Sequence, residues 1–244
     1  MSRFQAFLIH LGISLSIFAV LAYFVVDVWY PEFFFSTDGG WQGLRLLLGV
    51  DLVLGPLLTL IVYRAGKPGL RFDLTVIGLI QAACLAAGVW IVHGERPLAI
   101  VYVDGSFFSV TAQSFREVNV PVPDLDALPG PYPKWVSVKL PTDYGEQSNI
   151  RREMLVNERM LSTRSENYVP FDVADLDEKE ARSEEEIKDR DRDSRALPRW
   201  FTQHGGEFGD YRFYLFGARY AYCYLGFDAK RDRLVGLLHV SSPH

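Results

Sequence analysis

Residues 44–64 read LRLLLGVDLVLGPLLTLIVYR, an apolar run on every side with a single carboxylate, Asp51, set inside it. About 20 such residues are what an α-helix needs to cross a ~30 Å hydrocarbon layer. The same test selects Phe7–Trp29 before it and Leu74–His93 after it. The reading is a three-helix transmembrane bundle over residues 1–94, with helices at 7–29, 44–63 and 74–93. A soluble α+β domain with an antiparallel sheet follows over residues 95–244.

Asp51 lies about 10 Å inside its helix end at ~1.5 Å per residue. Leu48, Asp51, Gly55 and Thr59 fall on one stripe, and a carboxylate in hydrocarbon costs several kcal/mol unless paired, neutral or hydrated. Pro56 has no N–H, so the carbonyl of Leu52 loses its helical donor and a kink is expected. Gly55 lets another helix approach closely. Asp51, Gly55, Pro56 and Thr59 therefore form a candidate docking face for a partner helix, and an internal structural role for Asp51 is the competing reading. His10 and Ser14 share a face of the first helix, and Gln81 shares one with Gly78, Cys84 and Gly88 on the third. These intramembrane polar groups are expected to hydrogen-bond among the three helices. Proton conduction is disfavoured, because three helices make a poor pathway. Arg45, near a helix end, can snorkel to the interface.

The two halves differ in charge. Five basic and five acidic residues lie in 1–94, so the whole net charge of −5 belongs to the rest of the chain. That slight acidity argues against a nucleic-acid partner, which calls for a basic stripe. The two cysteines, Cys84 and Cys223, are too far apart in the architecture to staple the domain. The first apolar segment is too long for a signal-peptide core and ends in Asp27, Trp29, Tyr30 and Pro31, an aromatic collar, so it reads as an uncleaved anchor. The loop 31–43 carries Glu32 and Asp38 and no basic residue, whereas 64–73 carries Arg64, Lys67 and Arg71. Basic short loops stay in the cytoplasm. The N-terminus is then inside and residues 95–244 outside, in the periplasm of a Gram-negative cell.

In the soluble part, Asp104-Gly105 between apolar runs over 101–110 signals a hairpin. Residues 121–133 hold five prolines and read as loop. Lys134–Leu140 reads as a strand and Asn149–Leu161 as a helix, with Ile150, Met154, Leu155 and Leu161 imperfectly spaced. Asp175–Arg195 carries ten acidic and six basic residues and is expected to be a solvated helix or a mobile arm, with a docking surface as the lesser alternative. Its pairs Glu184–Lys188 and Glu186–Arg190 have the favourable i, i+4 spacing. From Phe208 the alternation predicts a three-stranded antiparallel meander, with Tyr211, Phe213 and Leu215 on one face. Tyr220, Tyr222 and Tyr224 form a tyrosine ladder read as sheet packing, with a binding platform as the lesser alternative.

No catalytic constellation is visible. His93, His204, His239 and His244 lack metal-ligand spacing, and there is no phosphate-binding glycine loop, nucleophile elbow or Cys-x-x-Cys. Neither an enzyme nor a metal or other cofactor is expected.

The opening MSRFQAFLIHLGIS, the Trp29-Tyr30-Pro31 exit, VDLVLGPLLTLIVYRAGKPGLRFDL over 50–74, and Gln81 with Arg96-Pro97 resemble type IV pilin accessory proteins of the TfpX/TfpZ group. The likeness is concentrated in residues 1–97. It implies an inner-membrane, chaperone-like helper for the stability and assembly of the major type IV pilin, with no catalytic residues. Its partners would be the cognate pilin, membrane lipid and other pilus assembly components. The competing classes are a membrane-anchored periplasmic sensor and an envelope enzyme. The sensor has only a short tail and a ten-residue loop in the cytoplasm for output, and the enzyme has no visible site.

Overall fold

The computed structural model describes residues 2–157 and 159–240. The chain divides into two compact units, Met1–Arg96 and Pro97–His244.

Three helices of the first unit are long and apolar enough to cross a membrane: Arg3–Trp29, Gly40–Val62 and Leu70–Gly94. Each begins four residues before the apolar run that announces it, because polar first turns are absorbed into the helix. At the N-terminus Ser2 and Gln5 form a reciprocal capping box that starts the helix at Arg3. Two turns are π-helical, Phe24–Trp29 and Gly49–Leu54. The second lies just ahead of Pro56, and the α-helix resumes at Gly55 with the proline in its first turn. The break expected at Pro56 thus takes the form of a widened turn, where the missing N–H does least harm. The aromatic collar folds back onto the third helix: Tyr30 Oη donates to the Val92 carbonyl at 2.8 Å.

The second unit is built on one seven-stranded sheet. Its strands are β1 (Pro97–Val103), β2 (Ser106–Thr111), β3 (Lys134–Val138), β4 (Tyr168–Pro170), β5 (Tyr211–Gly217), β6 (Tyr222–Asp228) and β7 (Arg233–His239). The order is β4-β3-β1-β2-β5-β6-β7. Asp104 and Gly105, at φ 48° and 68°, make the tight turn between β1 and β2, where both central residues need positive φ. The β5–β6–β7 meander forms as the alternation predicts, antiparallel throughout. Two junctions are parallel, β1 with β3 and β2 with β5, so the sheet is mixed, though mostly antiparallel.

Alternation along β1 sends Val101 and Val103 to one side and Tyr102 to the other. Val101, Val110, Val136 and Phe115 form one core with Leu161. On the opposite side Phe107 packs among Tyr102, Trp135, Phe171, Tyr214 and Phe227, with ring centroids 4.9–6.2 Å apart. Such aromatic pairs contribute beyond their buried area.

Three expectations are corrected here. The helix expected at 149–161 runs over Tyr144–Asn157, since the Asp143 carboxylate accepts from the Glu146 N–H at 2.9 Å and starts it earlier. Leu161 instead sits buried in a 3-10 turn. The charged stretch 175–195 is not a mobile arm. Ser137 donates to Asp175 at 2.7 Å, the Arg182 N–H bonds the Phe213 carbonyl at 2.7 Å, and Ile187 of the helix Glu184–Arg190 is fully buried. Glu184 does pair with Lys188 at 2.7 Å, while Glu186 bonds the Ser183 N–H and stands 3.7 Å from Arg182. The tyrosine ladder also divides: Tyr224 is buried, but Tyr222 is 63% and Tyr220 53% exposed.

Candidate functional site

Five polar side chains from the three membrane helices meet at one level of the first unit. Ser14 Oγ donates to Asp51 Oδ1 at 3.0 Å. Gln81 Nε2 donates to the same oxygen at 2.6 Å and lies 3.3 Å from both the Asp51 carbonyl and Ser14 Oγ. Gln81 Oε1 lies 2.9 Å from His10 Nε2, and His10 Nδ1 lies 2.6 Å from Thr59 Oγ1. The donors and acceptors form a consistent chain when Thr59 donates to Nδ1, Nε2–H donates to Gln81, and Gln81 donates to Asp51.

Helical spacing explains which residues take part. His10 and Ser14 are one turn apart on the first helix, and Gly55 and Thr59 one turn apart on the second. Asp51 sits in the π-helical turn just before them. Ser14, Asp51, Gly55, Pro56 and Thr59 are buried, and His10 and Gln81 are partly so. A Cβ added at Gly55 would stand 2.1 Å from Gln81 Oε1. The glycine therefore supplies the space in which the Gln81 carboxamide turns between His10 and Asp51. Asp51 Oδ2 is buried with no hydrogen-bond partner among the described residues. All the donors converge on Oδ1, leaving one unmet bonding position in the centre of the bundle.

The sequence groups these residues by helix, and the structure joins them across helices. His10, Ser14 and Gln81, expected to bond among the helices, do so, and Asp51 and Thr59 join them. Of the small residues grouped with Gln81 on the third helix, Gly88 is buried against Leu47, whereas Gly78 has open space and Cys84 is exposed. The fit of Gln81 into the Gly55 notch has no single-helix signal, because it pairs a gap on one helix with a side chain on another. Arg45 stacks over Trp41 at 4.5 Å rather than entering the network.

No group of three or more His, Cys, Asp or Glu residues that could hold a metal ion occurs among the described residues. What the network can do is hold three helices in one register. Each bond in such a setting is modest, but a shifted register would strand polar groups in hydrocarbon.

A family profile described as fimbrial assembly protein FimB matches residues 1–34, the first membrane helix and its exit. The fimbrial assembly protein of serogroups C1 and C2 from Dichelobacter nodosus is 32% identical over 96 residues, which is 38% of this chain and 73% of that relative. The serogroup I protein of the same organism is 32% identical over 96 residues, and the serogroup E1 protein 30% identical over 96. The match spans only 37% of the length of each of these last two. No solved structure matches the chain.

Proposed function

Because the chain belongs to the fimbrial assembly protein family, we propose that it is a chaperone-like accessory protein of the inner membrane. In this reading it supports the stability of the major type IV pilin and its assembly into the pilus. The observation that carries the reading is the bundle itself: three spans locked by an internal polar network offer a fixed surface inside the bilayer. A fimbrial subunit carrying one apolar helix and a globular head can be held at both ends by such a protein. The membrane bundle takes the helix, and the soluble domain, on the periplasmic side by the loop-charge argument, takes the head. Asp51, Gly55, Pro56 and Thr59 set the shape against which the partner helix docks. The role is one of binding and positioning, with no chemistry assigned.

The test is surface piliation in a strain whose only copy carries Asp51→Leu, beside wild type and a deletion. A fall in pilus number toward the deletion supports the reading, and an unchanged number removes the docking role. Crosslinking in intact cells, with pilin as the main adduct, tests the partner separately.

A further inference from the structure

Charge in the first unit is sorted by end. Of the five basic residues in 1–94, four (Arg3, Arg64, Lys67 and Arg71) share an end with a single carboxylate, Asp73. The polar network fixes that placement. His10 is bonded to both Thr59 and Gln81, so the three mark a common level. At ~1.5 Å per residue, Arg3 lies about 10 Å before His10, Arg64 about 8 Å beyond Thr59 and Arg71 about 15 Å before Gln81, all on one side. Lys67 holds Asp73 at 2.5 Å. The three guanidiniums are left exposed, with no carboxylate partner among the described residues. The two that stand on helices are each followed by an exposed ring: Phe4 is 61% and Phe72 72% exposed.

We infer that this end of the bundle is a binding surface for the phosphate headgroups of anionic lipids. Where spans leave the hydrocarbon, the first groups their side chains meet are headgroups, so position names an occupant that charge alone would leave open. A guanidinium offers phosphate two parallel N–H donors, and a juxtamembrane basic cluster is drawn to an anionic leaflet. Phe4 and Phe72 enter the acyl boundary and hold the neighbouring arginines at phosphate depth. The arginines come from the start of the first helix, the exit of the second and the start of the third. Lipids held there therefore tie together the same helices whose register the polar network sets. The inference rests on the spans crossing a bilayer and is independent of which protein the bundle serves.

The test is the full chain reconstituted in phosphatidylcholine bilayers, with trace spin-labelled phosphatidylglycerol or phosphatidylcholine as the probe. The motionally slowed fraction of each label reads its association with the protein. Wild type should favour phosphatidylglycerol by about fivefold at low salt, the gain of a single basic contact with an anionic surface. That preference should shrink as sodium chloride rises, because exposed charges are screened. The triple variant Arg3→Gln/Arg64→Gln/Arg71→Gln should hold both labels alike, while Arg45→Gln, at the opposite end, should keep the preference. Each single Arg→Gln variant should lose part of it, which keeps the experiment readable if the triple variant does not reconstitute. Equal association of both labels with wild type, or a preference that survives the replacements, overturns the inference. Pilus number is not the readout, so either result leaves the assembly reading to its own test.

Discussion

Substituting Gly55 by alanine sets two effects against each other. In a helix interior, Gly→Ala ordinarily stabilises by about 1 kcal/mol. Here the new methyl would fall 2.1 Å from Gln81 Oε1, and the neighbouring carboxamide atoms lie at 2.4 Å. The carboxamide is the free end of a side chain and can swing aside, but only by giving up its bonds to His10, Ser14 and Asp51. Membrane hydrogen bonds average about 0.6 kcal/mol each, so losing these three costs about 1.8 kcal/mol. The net expectation is destabilisation by about 1 kcal/mol after the propensity gain. Gly78→Ala on the third helix is the control, since nothing lies within 4 Å of its added methyl; it should be neutral or stabilising. Reversible unfolding of the purified full chain in mixed micelles with increasing SDS reads both. The reasoning is refuted if Gly55→Ala is as stable as Gly78→Ala.

Combining Asp51→Leu with Gln81→Leu should restore part of the stability lost in either single variant, because removing both partners of a buried bond costs less than orphaning one; additive losses in the same SDS titration would contradict this. Ile187→Ala should destabilise the soluble domain by about 2–4 kcal/mol, the usual range for emptying a buried aliphatic site, and a thermal melt with no shift would return 175–195 to the status of a loose arm. Gly226→Ala places a methyl 2.6 Å from the Trp200 ring and should cost about 1–3 kcal/mol in the same melt, as overpacking does. Burial pushes the Asp175 carboxyl up, but its bonds from Lys139, Ser137 and the Asp172 N–H outweigh that and hold it below the ordinary value. Its stabilisation is therefore present above the usual carboxylate range and fades as pH falls through the folded value, so wild type and Asp175→Asn should differ in urea stability near pH ~7, with the gap narrowing as pH falls below ~4.

The spans were legible because bilayer thickness imposes a length on composition, and no distant contact is needed to see it. The Asp104-Gly105 turn and the alternation in Tyr211–His239 were legible for a similar reason: turn chemistry and a period of two are local. What escaped was set from afar. Lys134–Val138 looks like any strand, and its parallel place beside β1 depends on the chain passing through the 121–133 loop first. Ile187 is a single apolar residue in a run of charge, and only Trp200, Phe213 and Tyr224 arriving from later in the chain make it core. Tyr222 shares the pattern of Tyr224 yet remains in water, since the core that buries Tyr224 does not reach the end of β6.

The intramembrane residues carry a similar lesson about where function resides. A lone Asp in an apolar helix invites the view that its carboxylate reaches outward to a partner. Here Oδ1 is already met by Ser14 and Gln81, and Gln81 fills the space that Gly55 leaves open. The outward positions are instead apolar, with Leu8, Ile13, Val20, Leu54 and Ile61 all more than two-fifths exposed. The polar residues then act through geometry: they fix helix register, and register decides which apolar ridges face out. Water cannot take up the slack in hydrocarbon, so each internal bond removes an alternative packing rather than adding much stability. A bundle built this way presents one fixed apolar surface, and on the proposed helper reading an incoming helix would meet it through van der Waals contact alone.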